Sequence, residues 1–213
     1  MRCPGRRTLT LTLLISSFGL ALAGWPAARP SFAASGMAPG IAALPGYQIS
    51  IWAKGTSAYS NPDSVVSDGQ HIYVGYQNIT AKDGSDNQYS TVVEYTLSGQ
   101  AVRTFDVLGH CDGLRVDPTT HLLWALADED GNPHLTTIDP VKGTTTLYKF
   151  PPTPHGGGYD DMAFTNGMAF MDASNPNLNK AGVNVFPALD RVVLRQGKVI
   201  LTPVLMGNAP AMD

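Results

Sequence analysis

The sequence predicts an all-β protein, a β-propeller of four-stranded antiparallel blades with about three blades present. Three observations predict it. The acids are fifteen Asp against only two Glu, Glu94 and Glu129, and Asp favours turns and caps where Glu favours helix interiors. Gly and Pro number 22 and 16 in 213 residues. Past Gly46 they join Asn and Asp in splitting short alternating apolar runs, the pattern of strands and turns. Most specific of the three, these runs recur with a period of about 48 residues, the length of a four-stranded propeller blade.

The first unit opens on Asp63-Ser64-Val65-Val66-Ser67-Asp68-Gly69 and returns through His71-Ile72-Tyr73-Val74. The second opens on Asp112-Gly113-Leu114-Arg115-Val116-Asp117-Pro118 and returns through Leu122-Leu123-Trp124-Ala125-Leu126. The third opens on Asp160-Asp161-Met162-Ala163-Phe164-Thr165-Asn166-Gly167 and returns through Met168-Ala169-Phe170-Met171. The second half of each unit is a further hairpin. Val92 to Leu97 turns at Ser98-Gly99 into Ala101 to Phe105. Leu135 to Ile138 turns through Asp139 to Gly143 into Thr145 to Tyr148, and Leu189 to Leu194 turns at Gln196-Gly197 into Lys198 to Leu201. Tyr47 to Trp52 is expected to form a leading strand. The packed sheets are expected to bury Tyr73, Val65, Leu114, Val116, Trp124 and Phe164. Blades are expected at 60–107, 108–155 and 156–205. Three blades cannot close a ring, since propellers need about four to eight. The chain is therefore expected to be an incomplete ring, truncated or completed by a second copy.

The first 34 residues read as an export signal. Arg2, Arg6 and Arg7 precede the apolar run from Leu9 to Ala23, and small-residue sites follow at Ala21-Leu22-Ala23 and Ser31-Phe32-Ala33. That order is basic, apolar, small, and the run is short for a membrane span. Residues 35–43 are a linker and 44–213 the folded body. The expected location is secreted or periplasmic, with no transmembrane span after cleavage. Whole, the chain carries 14 Lys and Arg against 17 Asp and Glu, a net charge of −3. Losing Arg2, Arg6, Arg7 and Arg29 leaves 10 against 17, a net of −7. An acidic surface excludes nucleic acid as a partner. Cys3 would leave with the signal, so Cys111 has no partner for a disulfide and is expected to be buried and inert.

Two stretches carry a resemblance. The lead-in from Leu44 to Gly55, with the Asp-x-apolar-x-apolar-Asp openings, resembles exported bacterial propellers of the NHL and gluconolactonase-like, six-bladed superfamily. His110-Cys111-Asp112-Gly113-Leu114-Arg115-Val116-Asp117-Pro118 and His155-Gly156-Gly157-Gly158-Tyr159-Asp160-Asp161 are similar to an uncharacterised exported group within it. The resemblance implies a fold more than a chemistry, because one fold hosts many activities.

Link lengths separate two faces. The long links lie on one face, and long loops on a rigid scaffold concentrate binding residues. Residues at the start of each unit lie innermost on that face. This singles out Asp63, His110, Asp112, His155, Asp160 and Asp161 as a candidate pocket, His and Asp being able to hold a divalent metal or to act as acid and base. Asp83 and Asp86, in Asp83-Gly84-Ser85-Asp86-Asn87, are candidate ligands for calcium, the divalent metal the pattern admits. The run Asp128-Glu129-Asp130-Gly131-Asn132 begins like an EF-hand loop, but Pro133 stands where that loop needs Gly. His155-Gly156-Gly157-Gly158 lacks the G-x-S-x-G elbow that a lipase would add.

The function these features suggest is an exported protein that binds a small molecule or a protein partner on its long-loop face. A metal-dependent lactonase or esterase-like hydrolase is the first alternative. The resemblance implies a Glu with Asn and Asp around a metal for such an enzyme, and neither Glu stands near the start of a unit. A quinone-dependent sugar dehydrogenase is the second alternative, with His110 or His155 as base.

Overall fold

Twelve β-strands make up the described part of the computed structural model, which covers residues 42–153, 156–174, 178–183 and 185–207. They are β1 Pro62–Ser67, β2 His71–Tyr76, β3 Tyr89–Thr96, β4 Ala101–Leu108, β5 Cys111–Val116, β6 Leu123–Ala127, β7 His134–Asp139, β8 Thr144–Lys149, β9 Tyr159–Thr165, β10 Met168–Ala173, β11 Pro187–Arg195 and β12 Lys198–Met206. The all-β class is as the turn-rich composition requires. Residues from Ala43 onward form one compact unit. The export signal and most of the expected linker lie outside the described residues. No helix among the described residues is long and apolar enough to cross a membrane.

The strands do not form a propeller of about three separate four-stranded blades. Only β1 to β4 make a four-stranded sheet of their own. The other eight strands form one sheet in the order β5-β6-β7-β8-β12-β11-β10-β9. The join is a parallel pairing of Lys149 with Lys198, where the Lys149 amide donates to the Gly197 carbonyl at 3.0 Å. The sheet curls until its end strands β5 and β9 run side by side, giving a nearly closed, barrel-like form. The reason is chemical. The outer strand of a free-standing blade leaves backbone donors and acceptors unpaired, and edges of this kind pair when they meet. A 48-residue repeat records the local meander and carries no information about the edges.

The register follows the period of two. In β6 every residue is buried, but the two faces serve different cores. Leu123 and Ala125 pack with Tyr73, Val92, Phe105, Val107, Cys111, Leu114 and Ile138, between the four-stranded sheet and β5 to β7. Trp124 and Leu126 point the other way, into the curled sheet, against Tyr159, Met162, Met171, Val192 and Val199. Burying a side chain such as Leu126 contributes about 1.5–3 kcal/mol. On the outer face of the four-stranded sheet, Val74, Tyr76, Val93 and Tyr95 are covered by Ala53 and Tyr59.

Two further expectations change. Tyr47 to Trp52 joins no ladder. It is an extended strap, held where the Trp52 indole donates to the Leu97 carbonyl at 3.0 Å and its ring rests on Tyr95. Val65 is 62% exposed, because β1 is an edge strand whose odd residues face solvent. Tyr73, Leu114 and Trp124 are buried, and Val116 and Phe164 half-buried.

Candidate functional site

The long links of consecutive units interlock at one end of the molecule, around Asp128. This carboxylate is fully buried. Its Oδ1 accepts the His110 amide at 2.7 Å and its Oδ2 contacts His134 Nδ1 at 2.7 Å. The Asp128 amide in turn donates to the His110 carbonyl at 2.8 Å. Gly109 has φ +91°, and a Cβ there would lie 2.3 Å from the Asp128 carboxylate. Only glycine allows the β4–β5 link both that backbone and that approach. The β2–β3 link is tied to the β6–β7 link by Asp130 N to Lys82 O at 3.2 Å and by Asn132 Nδ2 to Asp83 O at 2.8 Å.

His110 stands at the centre of this end. Its Nδ1 lies 2.8 Å from the Thr80 carbonyl and 2.9 Å from the Thr80 hydroxyl, which itself donates to the Gln77 carbonyl at 2.6 Å. A carbonyl only accepts, so Nδ1 carries a hydrogen. In the neutral ring Nε2 is then a bare lone pair. That atom is buried without a hydrogen-bond partner, 3.6 Å from Asp112 Oδ1. His110 as a whole is only 7% exposed.

Asp112 is buried beside it. Gln77 Nε2 donates to its Oδ1 at 3.2 Å and the Glu129 amide to its Oδ2 at 3.2 Å. Burial first, and then the charges of Glu129, Asp63 and Asp128, push its carboxyl up to about 8. It therefore keeps its proton at neutral pH. Asp160, half-buried at the start of β9, is pushed up to about 6 by burial, by Asp172 and by Glu129, with which it shares a side-chain hydrogen bond. Glu129 also pairs with Lys82 at 2.6 Å, and its carbonyl accepts the Gly158 amide at 2.7 Å. Carboxyl groups from all three units thus bear on one another.

The candidate residues divide accordingly. Asp63 is exposed at the start of β1, accepts from the Ser64 hydroxyl at 3.0 Å, and acts on Asp112 through its charge. His110, Asp112 and Asp160 belong to the cluster. Asp161, on the opposite face of β9, ion-pairs with Arg115 and accepts the Met162 amide at 2.7 Å. His155 lies outside the described residues. Asp83 and Asp86 serve their own loop: Asp83 accepts the Ser85 amide at 3.0 Å, and Asp86 accepts Ala81 N at 2.7 Å and Gln88 N at 3.1 Å. Among the described residues no group of three His, Cys, Asp or Glu side chains could hold a metal ion. Cys111 is fully buried and its thiol is pushed far up, first by burial and then by Asp112, Asp63 and Asp128, so it is no nucleophile.

Glu129 is the residue that sequence reasoning passed over. It lies in a link and not at the start of a unit, yet the fold sets it between Asp112 and Asp160. Asp128 ends the buried run 123–127 and takes φ 68°, which turns the chain back over the β5 and β9 starts. The other glutamate, Glu94, is buried in β3 and bonded to Arg103 Nε at 2.9 Å. Compared with known proteins, the chain matches no family model and no curated protein.

Proposed function

We propose that this chain is an exported binding protein that takes a small, positively charged ligand on its long-loop face, over Asp63, Asp112, Glu129 and Asp160. One observation carries the reading. A nine-tenths buried imidazole, with an unpartnered Nε2, lies 3.6 Å from a carboxyl that burial first, and then its acidic neighbours, push up to about 8. Unpaired buried polar atoms cost about 1–3 kcal/mol each and are retained where they serve a purpose. A cation over the cluster relieves the crowding of carboxylates, which an anion would worsen. Glu129, Asp160 and Asp63 keep part of their surface in solvent and form the contact layer.

Thermal melts of the full chain at pH 7 test this, with putrescine and zinc chloride as cationic probes and succinate as the anionic control. Putrescine is expected to raise the midpoint and zinc, for which the described residues offer no set of three ligands, to raise it less, and Glu129→Gln with Asp160→Asn to abolish the rise. Which probe acts separates an organic cation from a metal ion. An equal rise with succinate, no rise with either cation, or a rise that survives both substitutions overturns the reading. Export rests on the order of residues 1–34. Intact-mass analysis of the extracytoplasmic protein is expected to show a chain starting near Ala34, and one starting at Met1 overturns it.

A second reading, hydrolysis of a lactone or ester, is favoured by the two unequal acids. Asp112 at about 8 and Asp160 at about 6 bracket neutral pH, as general acid–base chemistry requires. Turnover of a δ-lactone that Asp160→Asn abolishes would replace binding with catalysis.

A further inference from the structure

At the opposite end the two halves of the eight-stranded sheet part. β8 and β12 share a single residue pair, and beyond it the seam opens into a cleft of about 560 Å³. Its walls include Leu122 and Trp124 from the β5–β6 return, Tyr148 from β8, Phe164 from β9, Met168 from β10 and Leu194 from β11. We infer that this cleft is a second binding site, for one flat, neutral, apolar molecule of aromatic character.

Size is the first ground. Small-molecule pockets run from about 300 to 1,000 Å³, and an eight-stranded barrel is about wide enough to hold one small ligand at its mouth. The second ground is the shape of the walls. Trp124 and Phe164 meet edge to face, with centroids 5.1 Å apart and planes at 86°. A flat ring can extend that arrangement by stacking on one partner or meeting the edge of the other.

Charge is the third ground. The lining carries one carboxylate, Asp117, and one guanidinium, Arg191. Asp117 is already engaged by the Thr119 amide at 2.8 Å and the Thr120 hydroxyl at 2.6 Å. Opposite signs at one mouth favour neither an anion nor a cation. Thr137, in register with Trp124, adds a neutral polar group to a lining that also holds Thr119, Thr120 and Tyr148. The carboxylate cluster lies at the other end of the same strands, so this site stands apart from the loop-face reading.

Calorimetric titration of the full chain with 2-naphthol at pH 7 tests the inference, with 2-naphthalenesulfonate as the charged counterpart. One equivalent of 2-naphthol is expected to bind, at least tenfold tighter than the sulfonate. Met168→Phe adds bulk at the exposed rim without touching the core and is expected to weaken binding tenfold or more. Thr137→Val keeps the volume and is expected to retain binding, with a several-fold loss for the hydroxyl. Absent or non-saturating binding overturns the site, as does binding that Met168→Phe leaves unchanged. Sulfonate binding as tight as that of 2-naphthol overturns the neutral class. Glu129→Gln is expected to leave 2-naphthol binding unaltered, so failure of the loop-face reading is told apart from failure here.

Discussion

Asp128→Ala is expected to destabilise the fold by about 3–5 kcal/mol, the cost of removing one partner from a buried charged hydrogen-bond set. The carboxylate has no solvent contact, and it serves His110 N through one oxygen and His134 Nδ1 through the other. Alanine leaves the His110 amide and the His134 ring without their acceptor. It also empties the space that Gly84 and Gly109 were shaped to leave. Nothing nearby can collapse into that gap, because both glycines carry positive φ and sit in links pinned by their own backbone bonds. Urea denaturation of the full chain measures the loss. Asp128→Asn keeps an oxygen for His110 N and is expected to lose less than alanine. Equal losses would mean that neither the side chain's shape nor the oxygen kept for His110 N matters, and that the contact of the carboxylate with His134, lost in both variants, holds the end together.

Asp112→Asn is expected to stabilise the protein, and the gain should grow with pH. The Asp112 carboxyl is held at about 8, against an ordinary 3.8. Between those values the folded chain binds a proton that the unfolded chain releases. Stability from this group is therefore greatest below about pH 4, falls as pH rises, and levels off above about pH 8. Asparagine carries no charge to bury beside Glu129, Asp63 and Asp128. Its amide nitrogen, at the Oδ1 position, faces His110 Nε2, while the Gln77 amide turns to present its oxygen. Parallel urea titrations at pH 5 and pH 8 should show the variant and the parent close together at pH 5. At pH 8 the variant should lead, by on the order of 1–3 kcal/mol. A variant weaker at both pH values would show instead that Asp112 is ionised and paired with His110.

Much of the local structure was legible in the amino-acid order. The runs beginning at Asp63, Asp112 and Asp160, and the hairpins at Gly99, Gly143 and Gly197, all fall on observed strands and turns, because alternation and turn chemistry are local properties. What the order did not contain is which strand edges meet. Lys149 and Lys198 give no sign of pairing, yet that pair merges eight strands into one sheet and removes the separate blades. The misplacement of Val65 has the same source, since exposure on β1 depends on its being an edge. At the site, His110, Asp112 and Asp160 were reachable as residues that open a unit. Glu129 was not, because its position depends on how the β6–β7 link folds back, a matter of three-dimensional closure.

Strand β6 has a consequence for how the molecule comes apart. Its residues alternate between two cores, Leu123 and Ala125 in one, Trp124 and Leu126 in the other. Neither sheet can melt without exposing one face of that strand, and exposing one face withdraws support from the other. The four-stranded sheet and the barrel-like sheet are thereby joined into one cooperative folding unit. A lesion on either side of β6 is expected to be felt throughout, and partial unfolding is expected first in the Tyr47–Trp52 strap, which belongs to neither of those two cores.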